Sequence, residues 1–435
     1  MTEQLLQYIW QFQYFNLKQL LTTSGEPLHI INKGTLNPNQ GPDFLHASIQ
    51  IAGTTWAGNI ELHVLSSQWL QHGHSSDANY QNIILHVVWQ HDKEIALPFA
   101  VLELQPLVPA LLLQHYQRLQ QQAAFIPCEK SIQQVSSLTW LAWKERLMVE
   151  RLQQKSVQVM QYLQQSNQHW QQVCWWMLAR NFGMSVNAAA FEAIARSLPL
   201  TIMAKHRHQI NQLEALLLGQ AGLLKVEGTD DKYLLLLQRE YHFLKNKYAL
   251  SPTHVPVQHL RMRPANFPAV RLAQLAMLLQ QSSQLFSKFL EADAVQPLQQ
   301  MLDVTANDYW HYHYQPGQQA IYRPKKTGRQ LIHHIIINTV APLLFAYSQH
   351  TGQQQYKARA IGLLQQLPAE KNNIVAGFTG LQLPVQSAFD SQALLCLKND
   401  YCNQKRCLQC AVGNAILKQE ATANTIREND KGQEG

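Results

Sequence analysis

The chain has 435 residues and is 46% hydrophobic, too long for one compact core and too apolar for a disordered polymer, so two or three domains are expected. Only 14% of its residues are charged, against roughly 25% in an ordinary soluble domain, and 57 glutamines fill the gap. The formal charge of +7 divides into −4 over residues 1–125, which also hold eight of the 19 histidines, and +11 over the remainder; a basic balance permits an anionic partner without naming one.

The opening MTEQLLQYIWQFQYF lacks the basic start and small-residue cleavage site of a signal peptide. It reads as a helix with Leu5, Leu6, Ile9 and Trp10 on one face and Glu3 in its first turn. LHII is a short strand and NKGTLNPNQGPDF a turn-rich loop. FLHASIQIAG and WAGNIELHVL alternate as two strands joined near Gly53. SSQWLQHGHSSDANYQN reads as a short helix and loop, and IILHVVWQ and IALPFAVLEL as two further strands. Residues 1–110 are therefore expected to form a small α/β domain. After Pro106 and Pro109 the period turns helical and glutamine-rich to about residue 420, with a polar, flexible tail over 421–435. No run reaches the ~18 apolar residues of a membrane span, since IIINTVAPLLFAY is interrupted by Asn338, Thr339 and Pro342. Six cysteines do not make a disulfide scaffold in a chain this size, so a cytoplasmic protein with no membrane association is expected. The fold class read from this order is α+β.

Chemistry concentrates in the first hairpin. Pro42-Asp43 opens one strand and Glu61-Leu62-His63 lies on the next. A turn at Ala52-Gly53 sets Asp43 opposite Leu62, with Glu61 and His63 as its diagonal neighbours on one face. Two carboxylates held this close repel one another, and a divalent cation is one way to relieve them. Either dipeptide alone is an ordinary strand feature; their order and separation carry the signal. His72 and His74, flanking Gly73, are expected to line the same pocket, and with His63 and His86 they form an alternative zinc or phosphate site.

This order of elements and acids resembles the PD-(D/E)XK nuclease superfamily. The resemblance implies a restriction-endonuclease-like αβββαβ core over 1–110, with Asp43 and Glu61 as ligands of Mg or Mn. His63 stands where that superfamily carries lysine, so a permanent positive charge is missing. Glu3 is in place to be the additional acid some members have. Segments such as NQGPDFLHASIQI, LARNFGMSVNAAAFEAIA, LEALLLGQAGLL and CNQKRCLQCAVGNAIL resemble an uncharacterised bacterial family carried only as a domain of unknown function, which implies no activity.

Near the end, Cys396, Cys402, Cys407 and Cys410 make a knuckle over 396–410 suited to Zn or an Fe–S cluster. Cys128 competes with Cys396 as the fourth ligand. Some nucleases of the resembled superfamily hold a cluster with one early and three late cysteines, an outline similar to Cys128 with Cys402, Cys407 and Cys410. Arg261 and Arg263, and then Arg323, Lys325, Lys326 and Arg329, are candidates for phosphate contacts in a basic helical region over 111–420. The expected function is a metal-dependent nuclease acting on DNA or RNA. The alternatives are a non-catalytic nucleic-acid-binding protein on the same scaffold and a structural or protein-interaction module.

Overall fold

The side chain of Thr2 accepts the Leu5 N–H and caps α1 (Glu3–Phe12), which buries Leu5, Leu6, Tyr8, Ile9 and Trp10. In this computed structural model the described residues are 1–37, 39–74, 77–121, 124–226, 228–259 and 264–418. Arg261, Arg263 and the 421–435 tail lie outside them. The chain divides into two compact units, one of Met1–Trp143 with the segment from Lys398 onward, the other Lys144–Leu397. The expected boundary near residue 110 falls inside the first unit, and the segment with the last three cysteines belongs to that unit as well.

The first unit is built on a six-stranded mixed sheet. Its strands are β1 (Leu28–Asn32), β2 (Thr35–Leu36), β3 (Phe44–Ile51), β4 (Thr54–Leu65), β5 (Ile83–Gln90) and β6 (Ala100–Glu103). The spatial order is β1-β3-β4-β5-β6, with β2 also on β3. The first strands pair antiparallel, whereas β4–β5 and β5–β6 are parallel. A parallel return needs a crossover, and α2 (Gln68–Gln71) with the residues around it supplies one.

The hairpin turns at Ala52-Gly53, with Ile51 opposite Thr54 and Ala47 opposite Gly58. Beyond Ala47 the register slips by one, so that Phe44 pairs with Ile60. The extra residue sits at His46, whose φ is 59°, a bulge that bends β3 toward its open end. Uninterrupted pairing would have put Asp43 beside Leu62; the bulge moves it beside Glu61.

The second unit is helical, with helices including Trp170–Phe182, Ile210–Gln220, Lys232–Lys247 and Pro268–Gln281. A small hairpin, His313–Gln315 with Gln318–Gln319, interrupts the helical pattern. Residues 329–351 run as one continuous helix through Asn338, Thr339 and Pro342, the residues that interrupt its apolar run. A π turn at Ile336–Val340 absorbs the interruption, and the Asn338 carbonyl, in the turn before Pro342, accepts from Asn181 Nδ2 at 3.1 Å, which offsets the N–H that proline lacks. Asn338 accepts from Lys155 Nζ at 2.9 Å, and Asn181 Nδ2 donates to the Thr339 hydroxyl oxygen at 2.9 Å. This helix is long and apolar enough to cross a membrane, but 78% of its apolar window is buried inside the protein; it is a core helix here.

Candidate metal centre

The site lies where β4 changes character. Its first four residues are exposed, whereas Ile60, Glu61, Leu62 and His63 are all buried, where β4 runs past the end of its pairing with β3 and pairs with β5. Glu61 is 5% exposed and His63 1%.

Asp43 and Glu61 are locked together through the backbone. The Asp43 N–H donates to Glu61 Oε2 at 3.0 Å, and Asp43 Oδ2 accepts the Leu62 N–H at 2.9 Å. Gln7 on α1 donates to Asp43 Oδ1 at 2.7 Å, so the helix orients the acid. Burial first, then the Asp43 charge, pushes the Glu61 carboxyl up to about 9, and burial raises Asp43 to about 6. The Glu3 carboxylate adds to both shifts, which puts this third acid within electrostatic reach.

Around the acids stand four imidazoles. His63 Nδ1 meets His86 Nε2 at 2.9 Å, and His63 Nε2 meets His72 Nδ1 at 3.1 Å. Glu61 Oε1 lies 3.5 Å from His74 Nε2 and 3.8 Å from His63 Nε2. Burial, then the neighbouring imidazoles, holds His63 and His86 down to about 3, so both rings are neutral. Trp69 on α2 packs its ring against His63, His74 and His86 and closes the apolar side. His86 is the member left as an alternative in the sequence; its pairing with Glu61 across the parallel β4–β5 ladder is a tertiary fact. A groove of about 790 Å³ in the same unit, lined by Trp56, Ile84, Pro98 and Phe99 among others, shares none of these ligands.

The thiols of Cys128, Cys402, Cys407 and Cys410 in the first unit influence one another electrostatically, and among the described residues none of them belongs to a set of three metal donors within 4.8 Å of one another. Burial raises the Cys128 thiol to about 12, with the Cys410 and Cys407 sulfurs adding to it. Cys402 is raised by burial and then by Cys410, Cys128 and Cys407. The chain is tight here: a Cβ on Gly413 would lie 2.3 Å from the Cys407 carbonyl oxygen, so only glycine lets the segment fold back onto Cys407. Cys396 is fully buried at the end of the helix Ala388–Cys396 in the second unit, and Cys174 is core.

The basic residues separate. Arg323, Lys326 and Arg329 are exposed. Lys325 is 4% exposed, donates to the His311 and Arg323 carbonyls, and sits 3.8 Å from the Tyr314 ring centroid. A lysine so enclosed has no surface on which to meet a phosphate chain, which removes it from that set. Trp310 is buried and donates Nε1–H to Glu214 Oε2 at 2.9 Å, as an aromatic segment with polar tips does. Sequence reading missed Glu214 itself, which looks like any helix glutamate until its 0% exposure is seen.

The sequence profile of the DUF2851 family, proteins of unknown function, matches residues 3–373. The chain belongs to this family. A search of curated proteins and a search of solved structures each found no match.

Proposed function

We propose that this DUF2851 protein is a divalent-metal-dependent phosphodiesterase acting on nucleic acid, with the sheet of its first unit serving as a restriction-endonuclease-like core. The observation that carries the reading is the pair Asp43 and Glu61, two buried carboxylates joined by an Asp43 N–H to Glu61 Oε2 bond of 3.0 Å. Both are held well above the ordinary carboxylate range by burial and, for Glu61, by its neighbour's charge. Such a pair is short of positive charge, and a cation of the Mg or Mn class fits the oxygen donors. When bound, that ion supplies Lewis acidity toward a phosphoryl oxygen and its attacking water. Gln7 and the Leu62 N–H hold the Asp43 carboxylate in one orientation, and His63 contributes a neutral nitrogen at the lysine position of the resembled superfamily. Arg323, Lys326 and Arg329, exposed on the second unit, join Arg261 and Arg263 as the phosphate-contacting candidates.

Cys128, Cys402, Cys407 and Cys410 are read as a separate Zn or Fe–S centre, on the support of their mutual electrostatic influence. Iron and zinc analysis of purified protein distinguishes these, and an apo preparation with neither removes the centre.

The decisive experiment is Asp43→Asn, with folding checked by circular dichroism. Metal-dependent cleavage of single- and double-stranded DNA and RNA is expected in the wild type and absent in the variant; cleavage retained by the variant overturns the assignment. One observation favours a second reading, a nucleic-acid-binding protein without catalysis: the lysine position holds a neutral imidazole. Salt-sensitive binding by the wild type, without cleavage under any divalent metal, selects that reading.

A further inference from the structure

We propose that His63, His72 and His74, closed by Glu61 Oε1, hold one transition-metal ion of the zinc class. The proposal deepens the reading of the Glu61 centre and rests on it, replacing a purely oxygen-ligated ion there by one with three nitrogen donors.

The local chain is arranged to converge these rings. His63 points from β4, while His72 and His74 come from the turn after α2. The His72 N–H closes on the Gln68 carbonyl at 3.0 Å and the Gly73 N–H on the Leu70 carbonyl at 3.2 Å. Gly73 has φ of +70°, a conformation glycine adopts without strain, and the reversal there brings both flanking imidazoles back to His63. Among the described residues, His63, His72 and His74 are the group that offers one nitrogen each within 4.8 Å of one another.

The three imidazoles stand close enough to share one ion, and Glu61 Oε1, outside that group of three, lies beside His74 and His63. Donors about 2.0–2.1 Å from a tetrahedral ion stand about 3.3 Å from each other. The measured separations are 3.1 Å for His63 Nε2 to His72 Nδ1, 3.5 Å for His74 Nε2 to Glu61 Oε1, and 3.8 Å for His63 Nε2 to Glu61 Oε1. Hydrogen bonds alone leave this cluster incomplete. A neutral imidazole carries a single N–H, and His74 Nε2 is buried without a hydrogen-bond partner. With an ion on His63 Nε2, the His63 proton sits on Nδ1 and donates to His86 Nε2 at 2.9 Å, the outer contact that metal-bound histidines commonly make. Imidazole-rich sites favour zinc and its neighbours over Mg²⁺, which prefers oxygen and retains its waters.

The test uses the full chain, stripped with a chelator and titrated with Zn²⁺ by calorimetry and with Co²⁺ by absorption spectroscopy. One ion is expected in a nitrogen–oxygen environment, seen as Co²⁺ ligand-field bands free of thiolate charge-transfer absorption, which separates it from any ion at the cysteines. His72→Ala, which removes an exposed side chain, and His74→Ala are each expected to weaken binding at least about tenfold with the fold intact by circular dichroism. Unchanged affinity and an unchanged spectrum in both variants overturn the proposal, as does Co²⁺ uptake by the wild type through thiolates alone. Histidine-dependent Co²⁺ binding without cleavage of any nucleic acid keeps the site and removes the phosphodiesterase reading. Cleavage lost in Asp43→Asn, while both histidine variants bind as wild type does, removes the site and keeps that reading.

Discussion

Glu61 and Glu214 are both buried glutamates with carboxyls raised above the ordinary range, and they are raised for different reasons. Glu61 faces a second carboxylate and a ring of imidazoles, and the Asp43 charge adds to what burial does. Glu214 has no such neighbour: burial raises it to about 7, while hydrogen bonds from Trp310 Nε1 and the Tyr233 hydroxyl, each 2.9 Å, pull it back. A lone buried carboxyl with two donors is resolved by a proton. Two acids side by side among free imidazole nitrogens are resolved by a cation. The comparison separates a structural carboxyl from a site.

Removing a partner should therefore act in opposite directions at the two places. Glu214→Ala leaves the Trp310 and Tyr233 donors orphaned in the core, and about 3 kcal/mol of stability should be lost in denaturant unfolding; a loss under about 1 kcal/mol would break the contrast. The pH dependence follows from the same carboxyl. Its folded-state value of about 7 lies above the ordinary glutamate value of 4.5, so between these values the folded state holds a proton the unfolded chain has released. Stability from this group is full below about pH 4.5 and declines as pH rises to about 7, by on the order of 3 kcal/mol. Glu214→Gln keeps an acceptor for both donors and should flatten that slope; a slope identical to wild type would assign it elsewhere. At the other site, Asp43→Asn removes the charge that helps hold Glu61 protonated well above its ordinary range, so the chelated variant should be about 1–2 kcal/mol more stable than chelated wild type at pH 8. Added Mn²⁺ or Zn²⁺ should reverse that order by binding only the wild-type acid pair fully. Smallest is the effect of Arg323→Ala with Lys326→Ala, exposed residues whose loss should change stability by under about 0.5 kcal/mol. The same pair should lower the salt slope of nucleic-acid binding, and an unchanged slope would place the phosphate contacts on other residues.

Much of the first unit was legible because its signals are local. The face of α1, the Ala52-Gly53 turn and the alternation along β3 and β4 each depend on residues a few positions apart, and period alone reveals them. Asp43 and Glu61 could be brought together on paper because a hairpin register is set by its turn. The one-residue slip at His46 could not, since a bulge in β3 is written in no pattern of hydrophobicity. The continuity of the helix through Asn338 and Pro342 is hidden for a related reason: whether a helix accommodates an Asn or a proline depends on what satisfies them, and Lys155 lies 183 positions away from Asn338.

The sequence by itself determined the element order, the acids at the open end of the hairpin, the pair of histidines around Gly73 and the close spacing of the late cysteines, all properties of neighbours along the chain. Only the tertiary structure decided that His86 stands behind His63, that His74 turns a partnerless nitrogen toward Glu61, and that Cys128 is within electrostatic reach of Cys402, Cys407 and Cys410. It also decided that Lys325 is enclosed while Arg323 and Lys326 are free. Burial and long-range pairing set charge state, and composition counts charges without knowing where water is excluded. The +7 of the whole chain says little about the few buried groups on which the chemistry proposed here depends.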